Sequence, residues 1–106
     1  MKTRHVIALT AALSFSATAF AADDAEALYK KSGCPVCHKV DGKGMGPSFK
    51  EIAAKYKDDK GAQARLEAKV RSGGNGSFGS MSMPATGAAV SDANIKTLVA
   101  WVLSQK

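Results

Sequence analysis

Five consecutive residues, Cys34-Pro35-Val36-Cys37-His38, constrain this chain more than any other part of it. They contain both of its cysteines and one of its two histidines. The chain has only 106 residues, which is one domain's worth. Its large apolar side chains are few, and its ten glycines raise the entropic cost of folding. A domain this small buries a limited fraction of its surface and usually adds a staple: a disulfide, a metal or a cofactor. The search for such a staple leads to residues 34–38.

Cys-x-x-Cys-His is the attachment pattern of a c-type haem. Two thiols three positions apart on one helical turn can reach the two vinyl groups of a single porphyrin. The adjacent imidazole then lies under the ring, where a nitrogen can bind iron. Cys34 and Cys37 are thus the expected thioether positions and His38 the expected proximal ligand. Three other readings explain less. A dithiol redox motif belongs beside a β-α-β pattern, which is missing. Structural zinc needs about four ligands, and no second pair is present to complete the set. A plain Cys34–Cys37 disulfide leaves His38 and a methionine-rich loop without a role.

The start of the chain has the layout of a secretory signal peptide: basic Lys2 and Arg4, an apolar run over Val6–Phe15, then Ala19-Phe20-Ala21. Cleavage after Ala21 is expected, with residues 1–21 removed and residues 22–106 forming the domain. No stretch of about 18 apolar residues is present, so stable membrane insertion is not expected. The formal net charge of +6 falls with loss of Lys2 and Arg4 but stays positive. Nucleic-acid binding is a poor use of that charge in an exported protein, and no recognition motif supports it.

The class is all-α. Asp23 and Glu26 resemble a capping box ahead of Leu28 and Tyr29, with Gly33 as the stop. Pro47 precedes a helix over 48–57 in which Phe49, Ile52, Ala53 and Tyr56 share one face. Ala62, Leu66 and Val70 mark a helix over 61–71, with Gly73 just past its end. Ser91 is an N-cap for the last helix, whose buried face carries Ile95, Leu98, Val99 and Val102, widened by Trp101 and Leu103. No strict alternation is long enough for a strand. The loop over 73–89 is long for a structureless connection in so small a domain, which points to function or disorder.

If His38 holds one side of the iron, the other side decides the function. His5 leaves with the signal. Met45, Met81 and Met83 remain, along with a lysine or an open position. Met45 lies only seven residues after His38 and would have to wrap the haem edge quickly. Met81 and Met83 sit in the long loop, which can cover the opposite face. Met83 is favoured because Pro84 fixes φ and stiffens the ligand segment, and Met81 is the second choice. For any single methionine, core packing is the plain alternative.

These residues resemble the small bacterial class I cytochromes c, single-haem periplasmic carriers that pass electrons to nitrite reductase or a terminal oxidase. The resemblance rests on Leu28-Tyr29-Lys30, the Cys34–His38 run, Gly46-Pro47-Ser48-Phe49, Met83-Pro84, Val90-Ser91-Asp92 and the ending Trp101-Val102-Leu103-Ser104-Gln105-Lys106. It implies four to five short helices wrapped round one covalent haem c, with the first and last helices packed together. It implies His38 and Met83 as axial ligands, and a Pro47 carbonyl that accepts the imidazole N–H of His38. The chain departs from the family pattern at Phe78, where relatives carry a propionate-binding tryptophan, and at Lys69, where they carry an arginine. Ala85-Thr86 stands in place of Pro-Asn after the Met-Pro pair.

His/Met ligation fills every iron position, favours electron transfer over substrate chemistry and raises the potential. The expected function is therefore a monomeric periplasmic electron carrier and not an enzyme. Its expected donor is a membrane quinol-oxidising complex, and its expected acceptor a nitrite reductase or terminal oxidase. A haem sensor or peroxidase-like enzyme with a displaceable methionine is the alternative. Lys30, Lys31, Lys39 and Lys43 bracket the motif and would form an electropositive rim. Lys55, Lys57 and Lys60, beside Asp58 and Asp59, read as a solvated mixed face.

Overall fold

The structure is a computed structural model that describes residues 22–106. The expected signal peptide, 1–21, lies outside the described residues. Four α-helices follow in order: α1 over Ala22–Lys31, α2 over Phe49–Lys55, α3 over Ala62–Ser72 and α4 over Asp92–Leu103. A short 3-10 turn at Cys34–Val36 follows α1. The all-α expectation holds. Among the described residues the only extended pairing is an isolated antiparallel bridge between Gly74 and Met83.

Local chemistry sets most of the helix ends. Gly33 takes φ 81°, a left-handed conformation that glycine adopts without penalty, and turns the chain out of α1 into the 3-10 turn. Ser91 caps α4 as expected, and Ser48, read as the first helical residue, instead caps α2; they accept from the N–H groups of Asn94 and Glu51. The N-terminus of α2 leaves none of its first donors unpaired. Phe49 and Lys50 donate to the carbonyls of Lys39 and Val40 at 2.9 and 3.1 Å, which pins the preceding loop onto the helix. Several boundaries differ from expectation, among them α3, which runs one residue later than the 61–71 span. Asp23 already lies inside α1, which spans Ala22–Lys31 among the described residues. α2 ends at Lys55, with Tyr56 as its C-cap, two residues short of Lys57.

α4 is the hub, packing against α1, α2 and α3. Ile95, Leu98 and Val99 are buried on it, and Ile95 is only 2% exposed. Phe49, Ile52 and Ala53 from α2, Ala25 from α1 and Ala62 from α3 complete the core. The small residues let the helices approach closely. The packing of α1 on α4 is sealed by an aromatic triangle. Tyr29, Phe49 and Trp101 lie with ring centroids 5.2–5.6 Å apart, in edge-on or tilted geometry. Val36 and Phe78, both large and apolar, are instead 73% and 41% exposed.

Candidate functional site

The Cys34–His38 run folds as one tight turn. Cys37 and His38 both donate backbone N–H groups to the carbonyl of Cys34, at 3.2 and 2.9 Å. Both thiols are free and half-buried on this turn. Burial pushes the Cys34 thiol above its ordinary pKa, outweighing an opposing backbone hydrogen bond. Among the described residues no three His, Cys, Asp or Glu side chains gather in a way that could hold a metal ion, which leaves structural zinc without a ligand set.

His38 is held on several sides. Its Nδ1 lies 2.7 Å from the carbonyl oxygen of Pro47. A carbonyl can only accept, so Nδ1 carries a hydrogen, and this bond selects the tautomer whose lone pair is on Nε2. The ring stacks on Phe49 with centroids 5.5 Å apart and planes 25° from parallel. The Tyr29 hydroxyl donates to the His38 carbonyl at 2.7 Å. The chain at Gly46 passes so close that a Cβ there would lie 2.9 Å from His38 Cε1. Its N–H donates to the Cys37 carbonyl at 2.8 Å, which draws the segment back over the motif.

Met83 sits on the long loop, with its backbone in the bridge to Gly74. Gly74 donates to the Met83 carbonyl at 3.0 Å, and Met83 donates back at 2.8 Å. The side chain of Met83 is half-buried, whereas Met45 and Met81 are 62% and 63% exposed. The loop is tied at both ends. On the way in, Lys55 of α2 donates to the Ser77 carbonyl and lies 4.3 Å from the centroid of the Phe78 ring, which packs edge-on against Tyr56. On the way out, Thr86 donates to the Val70 carbonyl at 3.1 Å, and the Arg71 guanidinium reaches the carbonyls of Thr86, Gly87 and Val90.

Sequence reasoning missed Lys55 and Arg71. Lys55 belongs to the loop contact and not to a merely solvated face. Of its supposed neighbours, Asp59 pairs with Arg65. Lys30, Lys31, Lys39 and Lys43 are all exposed around the motif, and Lys30 lies 3.5 Å from Glu26 on the preceding turn.

Residues 22–106 match the cytochrome c family. This chain is a member of the cytochrome c family. Cytochrome c-551 of Pseudomonas aeruginosa is 41% identical over 106 residues, covering all of both chains. Cytochrome c-551 of Azotobacter vinelandii is 49% identical over 81 residues, or 76% of this chain and 96% of the relative. The crystal structure of wild-type Nitrosomonas europaea cytochrome c552 superposes with a TM-score of 0.71 at 42% identity, covering 76% of this chain and 99% of that one.

This cytochrome is a small class I monohaem protein that carries a covalently attached c-type haem and transfers electrons. Its residues fit that group. Two free thiols stand on one turn, and the imidazole next to them turns Nδ1 to the Pro47 carbonyl, which leaves Nε2 as the nitrogen that can bind a metal. Among the described residues no helix is long and apolar enough to cross a membrane.

Proposed function

We propose that this cytochrome is a periplasmic single-electron shuttle, exported by residues 1–21. In this reading its haem is joined to Cys34 and Cys37 and its iron is held between His38 and Met83. The bound haem supplies one iron that cycles between Fe(II) and Fe(III). The observation that carries the reading is the fixed imidazole of His38, with Nδ1 donating to Pro47 and Nε2 free beside two thiols.

Each residue has a distinct part. The Pro47 carbonyl fixes the tautomer and orientation of His38 and makes Nε2 a stronger donor. Phe49, stacked on the ring, stops it from turning. Met83 supplies a neutral thioether, which favours the reduced state. Its half-buried position and paired backbone favour it over exposed Met45 and Met81. With His38 and Met83 both holding the iron, oxygen and peroxide would find no open site, which would favour electron transfer over catalysis.

The partners are redox proteins: a membrane quinol-oxidising complex as donor, and nitrite reductase or a terminal oxidase as acceptor. Exposed lysines around the motif steer acidic surfaces, and a transient interface below about 1,200 Å² allows rapid release. Carbon monoxide tests the reading. The reduced protein at neutral pH should resist it and stay low-spin. Rapid stoichiometric binding would favour the sensor or peroxidase-like alternative.

A further inference from the structure

We propose that Arg71 is a positioning residue for the axial methionine, holding the outgoing limb of the Met83 loop so that the sulfur stays on the iron. The inference rests on the His38/Met83 reading above and concerns a residue outside that ligand set.

Arg71 lies in the last turn of α3 and spends all five of its N–H donors. Nη1 donates to the carbonyls of Thr86 and Gly87 at 3.1 and 3.0 Å. Nη2 donates to the Val90 carbonyl at 2.8 Å and to Asp92 Oδ1 at 2.6 Å, and Nε donates to the same Oδ1 at 3.2 Å. Three of the five bonds therefore go to main-chain carbonyls in the segment that leads from Met83 to α4. The first of them, Thr86, is three residues past Met83. Its N–H is also bound, to Val70 in the turn of α3 that carries Arg71. Met83 is thus strung between its bridge to Gly74 and this clamp.

The chemistry favours arginine specifically. A planar fork fixes several acceptors at once, whereas an ammonium is a point charge with three donors. The Asp92 carboxylate is 95% exposed, so its pairing with Arg71 contributes little to the fold. The carbonyl bonds are what hold the limb. Without them residues 84–90 gain freedom, and the population with Met83 off the iron rises. A competing ligand then binds more tightly in proportion to that population.

The test is imidazole titration of the oxidised holoprotein, read by loss of the far-red methionine–iron charge-transfer band. Arg71→Gln and Arg71→Lys should both bind imidazole at least about tenfold more tightly than wild type. Asp92→Ala should stay within about twofold, because it spares the carbonyl bonds. If Arg71→Gln yields no folded protein, Arg71→Lys alone decides. Wild-type imidazole affinity in Arg71→Lys, or equal tightening in Asp92→Ala, overturns the proposal. A band that survives in Met83→Ala would instead break the ligand reading, independently of Arg71.

Discussion

His38 Nδ1 and the carbonyl oxygen of Pro47 lie 2.7 Å apart, which joins the Cys34–His38 turn to the start of α2. Pro47 has no N–H to satisfy, and Ser48 next to it caps the helix. The acceptor that orients the imidazole is therefore set by a helix start, a rigid position. The aromatic triangle behind Phe49 ties that start to α1 and α4. In this way the core fixes the ring.

Tyr29 gives the first test of that coupling. Its hydroxyl donates to the His38 carbonyl, so Tyr29→Phe should cost about 1 kcal/mol at neutral pH. Burial, more than the charge on a Cys34 thiolate, raises its pKa, and in the thioether form only the burial effect remains. A raised phenol pKa contributes stability in full below about pH 10, and that contribution is lost as pH rises through the folded value. The gap between wild type and Tyr29→Phe in denaturant melts should accordingly narrow in alkali. A constant gap from pH 7 to pH 11 would contradict this.

Gly73 tests the methionine loop. It takes φ 68°, and a Cβ there would lie 2.5 Å from the Met83 carbonyl oxygen, 2.7 Å from the Ala85 nitrogen and 2.8 Å from the Pro84 carbonyl carbon. All three are backbone atoms that cannot swing aside. Gly73→Ala should cost more than about 1 kcal/mol for the conformation and about 1–3 kcal/mol for the overlap. Amide exchange at Gly74 and Met83 should speed up together. Unchanged exchange at those two amides would show that the bridge does not depend on Gly73.

The helices themselves, and the cap at Ser91 and the stop at Gly33, were legible in the sequence because their causes are local. Ser91 caps through an N–H group three residues on, and Gly33 turns the chain where it stands. The Cys34–His38 run was legible because its spacing is itself the chemistry. Arg71 was not. Three of its acceptors are main-chain carbonyls 15 to 19 residues further on, and a carbonyl leaves no mark in a sequence. Lys55 escaped for the same reason, since its partner is the Ser77 carbonyl 22 residues away. Asp23 misled because a capping-box pattern does not say whether the helix has already begun.

Asp41 gives an acid-side test of the loop that carries Lys39 and Val40 onto α2. The hydrogen bond from Lys50 at 3.1 Å, helped by the Gly42 N–H, holds its carboxyl below the usual carboxylate range. A lowered pKa contributes stability above about pH 4, and that contribution is lost as pH falls through the folded value. Wild type should exceed Asp41→Asn in stability at neutral pH by a small margin that salt erodes and acid removes. A margin that grows as the solution is acidified from pH 6 to pH 3 would refute the pairing.

The ligand set is tested most directly by the far-red methionine–iron charge-transfer band of the oxidised protein. The band should be present in wild type and in Met81→Ala and absent in Met83→Ala. Its persistence in Met83→Ala, or its loss in Met81→Ala, would contradict an iron held between His38 and Met83.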